Sequence, residues 1–221
     1  MGIKEKLDFA IKRIKEAAER ASRNPDEVKL VAVTKYSEPE QITEAINAGV
    51  RIIGENRIQE SIEKFGKIPK TERHFIGSLQ TNKARYAISY FDVIESVDSL
   101  KLAGEIDKEA KKIGKIMPVF AEVNVGREES KHGVMPEDIE EFCNKIMKFT
   151  NLRLDGLMCI APYFPPEEIE KTRKYFRQMN ELKKKIGLKY LSMGMSNDFE
   201  IAIEEGADFV RIGRLIFGED N

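Results

Sequence analysis

The feature that most constrains the fold of this chain is a unit that occurs eight times: a short apolar run, a loop and an amphipathic helix pattern. Alternation of strands with helices predicts a parallel sheet, because two parallel neighbours need a crossover between them. Eight such units predict closure of the sheet into a single (β/α)8 TIM-type barrel of the α/β class. The predicted strands are Val28–Val33, Arg51–Ile53, His74–Ile76, Asp92–Glu95, Ile116–Val123, Leu152–Ile160, Tyr190–Ser192 and Asp208–Ile212.

An extra amphipathic helix precedes the first strand, since Ile3, Leu7, Ile11 and Ile14 recur with helical period. Only a short segment, Leu215–Phe217, follows the last strand. We therefore expect the leading helix to occupy the place of the eighth helix. The main alternative, an open doubly wound sheet, is weakened because no Gly-x-Gly-x-x-Gly follows the first strand. No linker or low-complexity tract divides residues 1–221, which predicts one domain.

Helix boundaries are marked by proline and by polar capping residues. Pro136 predicts the first turn of a helix that reaches Phe149. Asn197, followed three residues later by Glu200, predicts a capping box for the helix that ends near Gly206.

The composition argues against several classes of function. Lys plus Arg number 37 and Asp plus Glu 38, so there is no global electrostatic reason to expect nucleic acid or an anionic membrane. No window has the length of a membrane span, and charges alternate over residues 1–6, where a signal peptide would be apolar. We expect a cytoplasmic protein. Cys143 and Cys159 lack metal-ligand spacing and are expected to be reduced core residues, and no metal site is predicted.

Lys35 ends the apolar strand that contains Leu30–Val33, and strand ends form the active face of a βα-barrel. An apolar neighbourhood lowers the pKa of a lysine and makes it a usable amine for a Schiff base. Asn56 after the second strand and Arg211 at the end of the eighth should reach the same rim. His74 is expected to be a hydrogen-bonded core or rim histidine. Taken alone, a strand-end lysine more often points to solvent.

Two late loops predict a phosphate site. Ser192–Ser196 follows the seventh strand and Arg211–Arg214 ends the eighth, the position where barrels usually bind phosphate through backbone N–H groups. Each segment alone also fits an ordinary turn with a helix cap. A ligand that carries both an aldehyde and a phosphate would fit Lys35 and both loops. Pyridoxal 5′-phosphate is the obvious candidate.

Six linked motifs resemble the pyridoxal phosphate homeostasis protein family, in the order of that family and over nearly the whole chain. They are Ala32–Lys35, Gly54–Glu60, His74–Lys83, Gly156–Met158, Ser192–Asp198 and Val210–Gly213 with Ile216–Gly218.

The resemblance implies a barrel similar to the N-terminal domain of alanine racemase, with pyridoxal 5′-phosphate held as a Schiff base on Lys35. It implies that Ser196 and the backbone around Gly213 and Arg214 hold the phosphate, and that Arg211 faces the pyridine nitrogen. Arg214 stands where the family often has a small hydroxyl residue, so the resemblance implies a phosphate contact through the backbone of Arg214. Asn56 and Met195 complete the expected cofactor-binding set.

Family members resemble non-enzymatic binders that buffer or deliver the cofactor and influence amino-acid and keto-acid balance. This makes pyridoxal phosphate-dependent apo-enzymes candidate transient partners.

Two chemical arguments disfavour catalysis. Arg211 carries only donors and stays protonated, so the facing pyridine nitrogen would be neutral and the ring a poor electron sink. Racemisation also needs acid–base groups on both faces of the substrate carbanion. In alanine racemase a tyrosine from a partner's C-terminal domain serves one face. We expect no such domain here, since the chain ends at Asn221, and we expect Glu219 and Asp220 to be a frayed terminus rather than a catalytic pair.

Three alternatives stay open at this point. The first is a weak pyridoxal phosphate-dependent amino-acid racemase that uses Lys35. The second is a Schiff-base aldolase or sugar-phosphate enzyme, and the third a purely structural role. The balanced surface and the missing dimer-forming domain favour a monomer.

Overall fold

The eight predicted strands form one closed parallel barrel, in which each strand pairs with the next along the chain and the eighth pairs with the first. The computed structural model describes residues 1–218. The fold prediction is confirmed, with strand limits displaced by at most two residues. The strands are β1 (Lys29–Val33), β2 (Ile52–Glu55), β3 (Glu72–Phe75), β4 (Val93–Val97), β5 (Met117–Val123), β6 (Leu152–Cys159), β7 (Tyr190–Ser192) and β8 (Phe209–Ile212).

Helices surround the barrel, and each buries one apolar stripe against the strands. In the helix over Leu100–Lys112, for example, Leu102, Ile106 and Ala110 are buried at helical spacing. The helices are α1 (Ile3–Arg20), α2 (Pro39–Asn47), α3 (Ile58–Phe65), α4 (Ala84–Tyr90), α5 (Leu100–Lys112), α6 (Ile139–Ile146), α7 (Arg173–Ile186), α8 (Phe199–Glu204) and α9 (Arg214–Phe217). Short 3-10 helices cover Pro25–Glu27, Thr81–Lys83 and Pro166–Thr172.

The leading helix closes the helical layer, as the sequence predicts. Helix α1 packs between α8 and α2 and also contacts the short α9. Its buried stripe includes Leu7, Ala10 and Ile14. Two ion pairs fix α1 to α8, between Arg13 and Glu200 at 3.0 Å and between Arg20 and Glu204 at 2.9 Å.

Two helix starts differ from the prediction. Helix α6 begins at Ile139, because Pro136 lies in a turn before it. The predicted capping box of Asn197 and Glu200 is wrong. Asp198 is the N-cap residue of α8, and its carboxylate accepts the Met195 N–H at 2.6 Å. Glu200 instead pairs with Arg13, so a contact between helices takes the side chain that the local pattern assigns to the cap.

The barrel interior has an apolar layer with a polar layer above it. Val31, Ile52, Val93, Phe120, Met158 and Phe209 form a separate buried cluster. Side chains alternate along each strand, so the next inward-facing positions of β4, β5 and β8 are Glu95, Glu122 and Arg211, all buried. The strand ends therefore carry charged groups into the mouth of the barrel.

Both cysteines are buried free thiols, as predicted. Within residues 1–218, no helix is long and apolar enough to cross a bilayer. The same residues contain no cluster of three or more His, Cys, Asp or Glu side chains that could hold a metal ion. The expectation for Glu219 and Asp220 lies outside the described residues.

Candidate functional site

A cavity of about 390 Å3 opens at the carboxyl ends of the strands. This volume lies within the range of small-molecule sites, about 300–1,000 Å3. Four residues singled out from the sequence line it together: Lys35, Asn56, Met195 and Arg211. The remaining lining residues are Val33, Ile76, Gly77, Ser78, Glu122, Val123, Asn124, Ser130, Lys131, His132 and Ile160.

Lys35 is held in a turn directly after β1. The Ser37 N–H donates to the Thr34 carbonyl at 3.2 Å, which places Lys35 and Tyr36 at the two central positions. Tyr36 has a φ of 61°, in the left-handed region that residues other than glycine rarely adopt. The Thr34 hydroxyl donates to Glu55 at 2.7 Å, and the Lys64 ammonium donates to the Thr34 carbonyl at 3.0 Å. These bonds fix the backbone from which Lys35 extends to the cavity.

Arg211 is buried and its guanidinium is anchored on two sides. One N–H group donates to the Ser192 hydroxyl at 2.8 Å and another to the Cys159 carbonyl at 2.7 Å. The Ser192 hydroxyl in turn donates to Glu95 at 2.5 Å. Because these partners lie on strands β4, β6 and β7, the guanidinium has a fixed orientation towards the cavity.

His74 extends this buried network away from the cavity. Its Nδ1 lies 2.5 Å from a Glu95 oxygen and its Nε2 lies 3.0 Å from a Glu72 oxygen. Burial lowers the pKa of His74, but the hydrogen bonds and charges of the two glutamates outweigh burial and raise that pKa to about 9. Burial by itself would raise the pKa of Glu95, yet His74, Arg211 and Ser192 lower it. The prediction of a hydrogen-bonded core histidine is confirmed.

The two predicted phosphate-binding loops lie against each other beside the cavity. The Arg211 N–H donates to the Gly194 carbonyl at 2.9 Å, which joins the β7 loop to β8. Gly194 has a φ of 89°, and a Cβ there would lie 2.5 Å from the Ala202 Cβ, so only glycine fits. Within residues 1–218 the backbone N–H groups of Ser196 and Gly213 donate no hydrogen bond.

Ser196, Gly213 and Arg214 do not line the main cavity with Lys35. Ser196 is half-buried and follows Met195, and Gly213 is packed against Val33; both neighbours line the cavity. The exposed Arg214 lines an adjoining pocket of about 140 Å3, which shares Met195 with the main cavity.

Glu122 is the lining residue that the sequence analysis missed. Burial and the nearby Asp98 carboxylate raise its pKa to about 7, although His132 and Arg211 act in the opposite direction. The signal for it was present, because a glutamate interrupts the apolar run of β5 at an inward-facing position two residues after Phe120. Glu95 interrupts β4 in the same way.

Comparison with known proteins finds relatives over nearly the full length of the chain. The model of the alanine racemase N-terminal domain family matches residues 7–221. A pyridoxal phosphate homeostasis protein of Aquifex aeolicus is 44% identical, over 97% of this chain and 97% of its own length. A protein of the same name from Pseudomonas aeruginosa is 39% identical, over 98% of this chain and 95% of its own.

Solved structures of similar proteins superpose on this barrel. PipY of Synechococcus elongatus, solved with pyridoxal phosphate bound, superposes with a TM-score of 0.81 at 34% identity and covers 98% of this chain and 100% of its own. Alanine racemase of Clostridium difficile superposes with a TM-score of 0.72 at 17% identity, over 98% of this chain and 57% of its own. At that identity the racemase shows a shared barrel fold only.

Proposed function

The chain belongs to the pyridoxal phosphate homeostasis protein family, and from this premise we propose that it binds pyridoxal 5′-phosphate as a Schiff base on Lys35 and buffers or delivers the cofactor without catalysing a reaction. The observation that carries the proposal is the position of Lys35. Its amine-bearing side chain lines the same cavity as the anchored Arg211, next to two loops with N–H groups that donate to no residue of the described range 1–218.

The residues present fit the chemistry of the cofactor. Lys35 offers the amine for its aldehyde, and the Ser196 and Gly213 N–H groups offer donors for its phosphate. Arg211 offers a fixed donor for the pyridine nitrogen. Asn56 and Met195 line the cavity and would contact the ring, and the backbone of Arg214 would add to the phosphate contact. When bound, the cofactor supplies an electron sink.

The absence of catalysis is proposed from the state of that electron sink. An arginine stays protonated and donates, so a pyridine nitrogen that faces Arg211 stays unprotonated and the ring withdraws electrons weakly. The Arg211 guanidinium cannot turn away, since Ser192 and Cys159 hold it. Racemisation also needs an acid–base group on the second face of the substrate, and Tyr36 and Tyr163, which are 54% and 76% exposed, do not line the cavity.

The test is borohydride reduction of the protein loaded with cofactor, followed by peptide mass mapping. We expect one phosphopyridoxyl adduct, on Lys35. Lys131 lines the same cavity and provides a matched control, because Lys131→Ala should keep the adduct and Lys35→Ala should lose it. An unmodified Lys35 in the presence of excess cofactor would sink the proposal.

A weak amino-acid racemase is the second candidate, and one observation favours it. Glu122, whose pKa lies at about 7, lines the cavity with Lys35 and could act as a second acid–base group. Interconversion of L- and D-alanine by purified protein, abolished by Lys35→Ala and by Glu122→Gln alike, would establish this candidate. Turnover that is indistinguishable from buffer would exclude it.

The proposal includes the location, the oligomeric state and the partners of the protein. We propose a cytoplasmic monomer that meets pyridoxal phosphate-dependent apo-enzymes transiently. Light scattering at micromolar concentration tests the monomer, and transfer of cofactor to a purified apo-aminotransferase, faster than from free solution at equal free cofactor, tests delivery.

A further inference from the structure

Glu122 makes no side-chain hydrogen bond within residues 1–218, and its carboxylate oxygens are not among the enclosed atoms there that lack a partner, so they are open to the cavity. Only 8% of it is exposed, and it lines the cavity that contains Lys35. The other buried acids in this part of the barrel are hydrogen-bonded: Glu95 to Ser192 at 2.5 Å, and Asp198 to the Met195 N–H at 2.6 Å. A largely buried carboxylate that faces a cavity without a protein partner is placed to pair with a ligand in that cavity.

The backbone around Glu122 holds this carboxylate in place. The Val134 N–H donates to the Glu122 carbonyl at 2.8 Å, and the Asn124 N–H donates to the Val134 carbonyl at 2.9 Å. The loop after β5 thus returns along its own strand. Asn124 also holds that loop, because its side chain accepts the Glu128 N–H at 3.1 Å and donates to the Glu128 carbonyl at 2.9 Å. The backbone of Glu122 is therefore held at the cavity wall.

The charges around Glu122 narrow the class of ligand. Asp98 repels it, while Arg211 and His132 attract it. Both of these groups have other partners: Arg211 donates to Ser192 and Cys159, and the His132 Nδ1 lies 3.5 Å from an Asp98 oxygen. The cofactor of the proposed function carries a phosphate and a phenolic oxygen, which are anionic and would repel a carboxylate. The missing partner should be a cation small enough to enter the cavity.

We propose that Glu122 binds the ammonium group of a primary amine, which enters the cavity as a second ligand beside the cofactor. This inference rests on the proposed function and names the partner chemistry of its site, since a primary amine is the group to which a carrier can hand an aldehyde. Three sources share that chemistry: a simple amine, an α-amino acid and a lysine side chain of a recipient protein. For an α-amino acid, Lys131 and Ser130 lie on the same cavity wall and would face its carboxylate.

The test measures amine binding to protein whose cofactor has been fixed on Lys35 by borohydride reduction. Calorimetric titration with ethylamine, L-alanine and Nα-acetyl-L-lysine distinguishes the three sources. We expect at least one of them to bind, and Glu122→Gln to weaken that binding at least tenfold, because an amide is uncharged. Glu137→Gln is the matched control, since Glu137 is paired to Arg127 at 3.1 Å and does not line the cavity, and binding should be unchanged.

The outcomes separate this inference from the proposed function. An adduct on Lys35 with no amine binding, or with equal binding to the protein with Glu122 and to Glu122→Gln, would overturn the inference and leave the carrier proposal in place. Loss of the adduct in Glu122→Gln would also overturn it, because Glu122 would then be a contact of the cofactor itself. A missing adduct in the unaltered protein would refute the carrier proposal and with it the premise.

Discussion

Replacing Glu95 by glutamine should flatten the dependence of stability on pH between about 6.5 and 9. Burial lowers the pKa of His74, and its contacts with Glu72 and Glu95 reverse this and raise the pKa from 6.5 to about 9. Each pH unit between the folded and unfolded pKa values corresponds to about 1.4 kcal/mol. The charged His74 therefore adds about 3 kcal/mol to the free energy of unfolding at pH 6.

The direction in which the free energy of unfolding changes with pH follows from proton binding by His74. Between pH 6.5 and 9 the folded state keeps a proton on His74 that the unfolded state has lost. The contribution of His74 to the free energy of unfolding is therefore fully present below pH 6.5 and falls as the pH rises towards 9. Glutamine at position 95 removes the closer and fully buried carboxylate, at 2.5 Å from Nδ1, so the pKa of His74 should fall. Most of the loss of stability across this window should then disappear.

Urea unfolding of the cofactor-free protein at half-unit steps from pH 6 to 9.5 measures this slope. The protein with Glu95 should lose about 3 kcal/mol over the window and Glu95→Gln less than about 1 kcal/mol. Glu72→Gln is the matched control, and its effect should be smaller because the Glu72 side chain is 47% exposed and screened by water. Parallel curves for the unaltered protein and Glu95→Gln would refute the assignment of the charge to His74.

Three further predictions concern the cavity. Lys35→Ala should lose the cofactor adduct but change the free energy of unfolding of the cofactor-free protein by less than about 1 kcal/mol in urea, because no core cavity forms. Gly194→Ala should destabilise by more than about 1 kcal/mol, since φ is 89° and the new Cβ would lie 2.5 Å from the Ala202 Cβ; thermal unfolding of Gly2→Ala, where a Cβ meets no atom within 4 Å, gives the baseline. Burial raises the pKa of Glu122 from 4.5 to about 7, so the folded state holds a proton there that the unfolded state has lost. The stability that this proton contributes is lost as the pH rises from 4.5 to about 7, and a destabilising buried charge remains. Glu122→Gln should therefore raise the stability of the cofactor-free protein by up to about 3 kcal/mol at pH 8 and little at pH 4, and a gap that is equal at both values would contradict this.

Much of this protein was determined by local patterns that the sequence carries openly. Strand and helix periods depend on neighbouring residues, so the eight strands and the leading helix could be predicted from spacing alone. Position at a strand end is enough to place Lys35, Asn56 and Arg211 on one rim, because parallel strands end at the same edge.

Contacts between distant residues were decided only by the tertiary structure. Ser192 meets Glu95 across 97 positions of sequence, and neither residue has a neighbour that announces the other. Glu200 binds Arg13 across 187 positions rather than capping its own helix. Glu122 stands in an apolar run. Its place on the cavity wall, without a hydrogen-bond partner among residues 1–218, is set only once the barrel has closed around it. Barrel closure sets which charges face one another and which are left unpaired, and this depends on all eight strands together rather than on any one of them.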